Sequence, residues 1–253
     1  QSEAEPVGVI EVDPSVEGVR RYVSGFVAKG YTVDDAGLKA FISSQEVLCR
    51  NYGRKRKSVA IGIYDGSSIS FPISYTAVDT GDTAHAFVPL KPAIAEGDAA
   101  ESIPASRWEE AWTPAEILAD HPAGREHAAA LSVPGKAPLL TDAKGEVLSF
   151  PPIINSAKLG RVTEGMNDLF VEVTGTVQDQ VLLATNILAA NLFDRGATIE
   201  AVLTRYPYDT PRGRDVRGPH PLEDRRTVEV KISEFARLLG ESPSVDEVQS
   251  RLN

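Results

Sequence analysis

The chain is expected to adopt an α+β fold, mixed sheets with packed helices, and three observations lead there. Short β-rich runs and helix-spaced apolar runs follow one another in mixed order rather than in strict strand–helix alternation. Two helix starts carry the serine/threonine-to-glutamate spacing of a capping box, at Thr113–Glu116 and Ser244–Glu247. Two apolar runs flank Asp142-Ala143-Lys144-Gly145, a hairpin turn with glycine where positive φ is needed.

Taken in order, Gly8 to Val12 and Arg21 to Val27 are β-rich and read as strands. From Asp35 to Asn51, Leu38, Phe41, Ile42 and Leu48 recur at helical spacing, with Gly53 as the C-terminal cap. The basic run Arg54-Lys55-Arg56-Lys57 follows, then a half-buried strand over Ser58 to Tyr64, where Val59, Ile61 and Ile63 alternate with small residues. Thr76 to Arg107 is rich in Ala, Asp, Gly and Pro and reads as loops. Thr113 opens a short helix with Pro114 in its first position, and a second short helix follows near Arg125 to Leu131. Pro138 to Thr141 and Glu146 to Phe150 form the hairpin, and Leu169 to Thr174 is a further strand. Gln178 to Phe193 is a long apolar helix closed by Gly196, and Thr198 to Leu203 returns as a strand.

These elements place one unit over residues 1–204. Residues 205–226, dense in Pro, Arg, Asp and Gly, read as an exposed connector, and residues 227–253 as the start of a second unit. There Thr227 to Ile232 is a strand, Ser233 caps a helix that ends at Gly240, and Ser244 opens another that runs to Asn253 without a stop signal. The only methionine is Met166, so residue 1 is not a translation start; the piece is expected to be processed or cut, with the cut inside this second unit.

Composition narrows the function. The 253 residues carry 26 Lys+Arg against 36 Asp+Glu, a net charge of −10, so contact with RNA has to rest on local basic patches. With 42% hydrophobic and 25% charged residues the chain is neither disordered nor collagen-like, and about 150 residues per domain is enough for a core without staples. No apolar run approaches the roughly 20 residues of a membrane span. Cys49 is the lone cysteine, which removes disulfides and thiolate metal cages and fits a reducing, cytoplasmic setting. Nucleophile-elbow, phosphate-loop and dinucleotide glycine motifs are absent. His85, His121, His127 and His220 lack zinc-ligand spacing and are expected at the surface, so no metal site is assigned.

Five stretches in one order carry more information. They are Arg21-Tyr22-Val23 with Phe26-Val27; Gly53 to Gly62; Leu148-Ser149-Phe150-Pro151-Pro152-Ile153-Ile154-Asn155; Leu169 to Thr176; and Val228-Glu229-Val230 with Leu238-Leu239-Gly240. Together they resemble the β subunit of archaeal and eukaryotic-type phenylalanyl-tRNA synthetase, in its editing module and the opening of a following winged-helix-like unit. The resemblance implies hydrolysis of tRNA(Phe) mischarged with tyrosine, with tRNA(Phe) and the α subunit as partners. It implies no cofactor for this fragment, since ATP and magnesium belong to the absent synthetic part.

The resemblance also implies residue roles. Glu172, in the apolar run Leu169 to Thr174, matches the pocket acid and is assigned the tyrosine hydroxyl, with Thr174 on the same strand face as a pocket hydroxyl. Taken alone, a strand glutamate is more often exposed. Leu140 and Ser149 match wall positions, although Leu140 also fits a plain core residue. Pro151 and Pro152 make a wall or only a structural corner, and Asn155 after them faces the ester or the terminal adenosine. Arg54, Lys55, Arg56 and Lys57 are either an RNA contact or a solvated helix end. Arg212, Arg214, Arg217, Arg225 and Arg226 are further candidates for contact with tRNA or another subunit. Two departures stand out: Tyr64 replaces a histidine common after Ile-Gly-x, and the loop from Asn155 to Gly160 is longer than usual and lacks a glycine after asparagine. With that histidine gone and no triad or metal set, the hydrolytic water is expected to be positioned by side chains, backbone and the substrate's ribose hydroxyl.

Overall fold

The computed structural model describes residues 5–91, 103–220, 229, 231–241 and 243–252. The chain divides into two compact units, residues 1–220 and 221–253. Among the described residues of the first, ten strands form one hydrogen-bonded path: β1 (Gly8–Val12), β2 (Tyr22–Lys29), β3 (Val59–Asp65), β4 (Ile73–Asp79), β5 (Lys136–Thr141), β6 (Val147–Phe150), β7 (Ile154–Asn155), β8 (Leu169–Gly175), β9 (Thr198–Arg205) and β10 (Asp215–Gly218). Their order is β3-β8-β2-β9-β1-β4-β5-β6-β7, with β10 on β9. β1 runs parallel to β4 and β9, and the other pairs are antiparallel. With helices α1 (Asp35–Arg50), α2 (Pro114–Asp120), α3 (Pro122–His127) and α4 (Gln178–Asp194), this is the α+β class that the sequence predicts.

Strand β9 is the joint of the path. Its first half pairs with β2 and its second half with β1 and β10, so the sheet turns within one strand. The two ends of the path then meet: Tyr64 on β3 reaches Ser149 on β6, and Asn155 Nδ2 on β7 donates to the Ile63 carbonyl on β3. A sheet that returns on itself covers its strands on both faces. Every residue of β8 is buried, and all of β3 but Asp65. The half-buried reading of β3 is therefore corrected, because small residues there mark close packing on a second face rather than solvent.

Local chemistry accounts for the helices. The Asp34 carboxylate caps α1 by accepting from Gly37 N–H, and Phe41 and Cys49 enter the core. Ile42 is exposed, so the apolar stripe of α1 is narrower than its sequence suggests. Gly53 is not the left-handed cap expected. It donates to the Leu48 carbonyl, and a Cβ there would collide with the backbone at Cys49 and Val59. The left-handed positions fall instead on Arg54, Lys55 and Arg56, at φ 50, 55 and 68. The Thr113–Glu116 capping box starts α2 as the sequence predicts, and Gly145 and Gly196 take positive φ at the hairpin and after α4.

Three short elements escape the sequence reading. β4 overlaps the region read as loops, β7 has two residues, and β10 lies in the stretch read as an exposed connector. Val216 and Gly218 are buried, so that stretch is part of the first unit's sheet and not a free linker as far as residue 218. Residues 92–102 of the loop region and 221–226 of the connector, Arg225 and Arg226 among them, lie outside the described residues.

A smaller apolar cluster gathers Phe87, Trp112, Ile117, Leu139, Phe150 and Ile153. His121 is wholly buried beside Trp108 and Trp112, which corrects its expected place at the surface. Its Nδ1 accepts from Ala123 N–H and caps α3, so the ring sits where backbone donors need it.

The second unit, taken by itself, shows α5 (Ile232–Leu239) and α6 (Val245–Leu252). Lys231, not Ser233, stands at the start of α5, so the predicted serine cap is two residues too late. Gly240 ends α5 in the left-handed conformation, and Ser244 and Glu247 exchange side-chain and backbone hydrogen bonds before α6. Of the strand expected over 227–232, residues 227, 228 and 230 lie outside the described residues, Glu229 and Lys231 are not in a strand, and Ile232 belongs to the helix.

Candidate functional site

Glu172 stands at the middle of β8, paired with Gly25 of β2 on one side and Gly62 of β3 on the other. Gly62 gives the buried carboxyl its room, whereas a Cβ on Gly25 would meet the Val171 carbonyl and the Phe170 ring. A Cβ on Gly62 would collide with both Glu172 Oε1 and the Tyr64 hydroxyl. Tyr64 lies two residues along β3, opposite Phe170, and the two rings stack at 5.7 Å and 29°. Its hydroxyl is 2.8 Å from Ser149 Oγ and 3.0 Å from Glu172 Oε1, and its single proton serves only one of them.

The electrostatics follow from burial. Glu172 is 2% exposed, and its Oε2 is buried without a hydrogen-bond partner. Burial pushes its carboxyl up to about 8, while the Tyr64 hydroxyl and the Arg20 cation pull in the other direction. Near neutral pH Glu172 is thus mainly an uncharged acid, able to donate as well as accept. Burial and the neighbouring carboxyl hold the Tyr64 phenol well above its ordinary value.

Glu172 also lines a hollow of about 20 Å³, together with Arg56, Ala60, Ile61, Ser149, Pro151, Pro152, Ile154 and Asn155. That volume takes roughly one water molecule. It does not take an aromatic ring. The structure therefore brings together Glu172, Ser149, Pro151, Pro152 and Asn155, but the ring slot expected from the sequence is closed in this conformation. Arg56 alone of the basic run reaches the hollow, with Nη1 donating to the Pro152 and Ile153 carbonyls at 3.3 Å; Arg54, Lys55 and Lys57 are exposed.

Two other expected residues sit apart from the hollow. Thr174 is fully buried and occupied by Arg20, whose Nε donates to Thr174 Oγ1 at 2.9 Å and Nη2 to its carbonyl at 2.8 Å. Leu140 pairs with Ser149 across the hairpin and lies in the main core. Of the connector arginines, Arg212 pairs with Asp179 and Arg214 with Asp209.

Sequence reasoning missed Arg20 and the engagement of Tyr64. The glycine two positions before Tyr64, on the same strand face, is the signal that marks room for its ring end. Among the described residues no group of three or more His, Cys, Asp and Glu is placed to hold a metal, and no helix is long and apolar enough to cross a membrane. A larger apolar groove of about 280 Å³ between α1 and α4 is lined by Val47, Leu48, Tyr52, Ile187 and Leu188 with Ser44, Asn51 and Asn191, and it offers no acid or base.

No protein-family model matches the chain. Curated relatives do. It is 37% identical over 241 residues to the phenylalanine–tRNA ligase β subunit of Borrelia hermsii, and 38% identical over 243 residues to that of Archaeoglobus fulgidus, covering 95% and 96% of this chain. The chain belongs to the phenylalanine–tRNA ligase β-subunit family. It spans 39% of the length of each of these two relatives. Among solved structures, an N-terminal fragment of the phenylalanyl-tRNA synthetase β subunit from Pyrococcus horikoshii matches with a TM-score of 0.76 at 30% identity, over 98% of this chain and 65% of that one. The family membership rests on sequence and fold together, and both cover β8 and its neighbours.

Proposed function

We propose that this chain is the part of a phenylalanine–tRNA ligase β subunit that hydrolyses tRNA(Phe) mischarged with tyrosine. The need for such a site is physical: an apolar pocket built for phenylalanine rejects a ligand that merely adds a hydroxyl by only about a hundredfold. A second pocket that hydrogen-bonds the hydroxyl separates the two far better. The observation that carries the reading is the buried Glu172 carboxyl at the floor of the hollow, with Oε2 unpartnered.

In this reading Glu172 takes the tyrosine hydroxyl, with Ser149 beside it. Pro151 and Pro152 form one wall, Asn155 faces the ester or terminal adenosine, and Thr174 supports the floor through Arg20. Arg56 and its neighbours Arg54, Lys55 and Lys57 supply cations for tRNA phosphates. The water-sized hollow fits a hydrolytic water held by side chains rather than a covalent nucleophile. The first unit carries this site and the second opens the next module, in a cytoplasmic enzyme completed by an α subunit.

Incubation of the purified chain with tyrosyl-tRNA(Phe) and phenylalanyl-tRNA(Phe) tests the reading. The wild type releases tyrosine faster, and Glu172→Ala, folded by circular dichroism, loses about a hundredfold in that rate. Full activity in the variant overturns the role of Glu172. The size of the hollow favours a second reading, a module that holds tRNA or the α subunit without catalysis; tRNA binding with no deacylation by the wild type selects it.

A further inference from the structure

We propose that Tyr64 is the resident occupant of the phenol site, so that the chain's own side chain closes the pocket until it is displaced. This rests on the reading of the Glu172 floor as a phenol reader, and its geometry is independent of tRNA. The ring of Tyr64 is fully buried, stacked on Phe170, with Phe71 edge-on to Phe170 at 88°. Its hydroxyl holds both polar groups that a tyrosine ligand would use, Ser149 Oγ and Glu172 Oε1. Gly62, bare of a side chain, is what lets the ring end lie there. The space left over is about 20 Å³. An aromatic slot, an acid at its end and a phenol in place are all supplied from within the protein.

The consequence is a threshold. A ligand that needs the open pocket binds with its intrinsic affinity multiplied by the fraction of molecules in which Tyr64 has left. That factor is the same for tyrosyl and phenylalanyl esters, so it leaves their ratio untouched and lowers both rates. A tyrosyl group restores the two hydrogen bonds that Tyr64 gives up. A phenylalanyl group does not, so the discrimination belongs to the open pocket, and the closed form sets only the rate at which either ester is admitted.

The test uses Tyr64→Ala in the full chain with p-cresol and toluene as probes, followed by calorimetry. The variant is expected to bind p-cresol at least about tenfold more tightly than toluene, and at least about tenfold more tightly than wild type does. A folded variant that binds neither probe, or both alike, overturns the proposal. Where the variant folds but is too unstable for calorimetry, thermal unfolding with each probe decides: a rise in Tm with p-cresol and none with toluene supports the occupant, and no rise with p-cresol overturns it. Deacylation separates this proposal from the editing reading. Tyr64→Ala is expected to hydrolyse tyrosyl-tRNA(Phe) and phenylalanyl-tRNA(Phe) faster by one common factor. If neither protein hydrolyses either ester while the p-cresol preference stands, the editing reading fails and the occupant stands.

Discussion

Thr174 and Glu172 stand two residues apart on one face of β8, and both are buried, yet their polar atoms are treated differently. Thr174 has its hydroxyl and its carbonyl held by the Arg20 guanidinium, which also donates to the Lys57 carbonyl. Glu172 has one oxygen on Tyr64 and the other with no partner, and the residue lines a hollow. A buried polar group left unpaired is costly, so natural folds satisfy it unless something else uses it. The contrast separates a residue that holds the sheet together from one kept available. It also separates their surroundings: on one side a guanidinium tied to two backbone carbonyls as well as to the hydroxyl, and on the other a tyrosine hydroxyl that rotation about two side-chain bonds takes away.

The largest effect is expected from breaking the satisfied half. Arg20→Ala leaves the Thr174 hydroxyl and two carbonyls without their donor in the core, and urea unfolding should show a loss of about 3–5 kcal/mol. Arg20→Lys should recover only part of it, because one ammonium does not reproduce a planar fork that bonds a hydroxyl and a carbonyl together. A loss in Arg20→Ala no larger than that of an exposed arginine would show that Thr174 is held by the ladder alone.

Next is the unsatisfied half, read through pH. The carboxyl of Glu172 is raised in the folded state to about 8, from 4.5 in an unfolded chain. The folded protein therefore binds this proton more tightly, and the stability so gained is fully present below pH 4.5 and lost as pH rises toward 8. The slope is at most about 1.4 kcal/mol per pH unit, so a wild-type loss of about 2 kcal/mol from pH 6 to 8 is expected from this group. Glu172→Gln, which mimics the neutral acid, should show a flatter curve and gain on wild type as pH rises. Parallel curves for the two proteins would place a charged carboxylate in the fold at neutral pH.

How much of this contrast was legible in the sequence depends on range. Glu172 was findable only with the family resemblance: an acid in the run Leu169-Phe170-Val171-Glu172-Val173-Thr174 conflicts with its apolar neighbours, but taken alone such a glutamate is more often exposed. The capping boxes and the Asp142–Gly145 hairpin were plain, since each is decided within four residues. Arg20 was not findable: its partner is 154 positions away, and nothing beside it in the chain differs from an ordinary surface arginine. Tyr64 stood out only as a departure from a family pattern, while the place of its hydroxyl is set by Ser149, 85 residues on. β7 and β10, with two and four residues, are too short for any period to show. The left-handed run Arg54 to Arg56 was hidden for a different reason. Non-glycine residues there are disfavoured one by one, and they are held by returning bonds from Arg54 N–H to Asn51, Lys55 N–H to Arg50 and Arg56 N–H to Cys49.

The smallest effect sharpens the comparison from a second cluster, where burial acts on a base instead of an acid. His121 is fully buried, edge-on to Trp108 and Trp112, and burial lowers its pKa, against a backbone contact with Leu90 that raises it. Its Nδ1 must be unprotonated to accept from Ala123 N–H at 3.1 Å. The unfolded chain takes up this proton more readily than the folded one, so stability is present above pH 6.5 and is lost as pH falls from there toward the lowered folded value. The two buried groups thus tilt the curve in opposite directions, Glu172 toward acid and His121 toward base. In His121→Asn the amide oxygen can still cap α3 but does not titrate. It should lose about 1 kcal/mol at pH 7.5 from the missing ring contacts, and lose less than wild type on acidification below pH 6.5. Chemical denaturation of the two proteins at pH 5.5 and 7.5 reads both numbers. If the difference between them does not narrow at the lower pH, the imidazole is protonated in the folded state, and the buried cap is held by something other than the free Nδ1 lone pair.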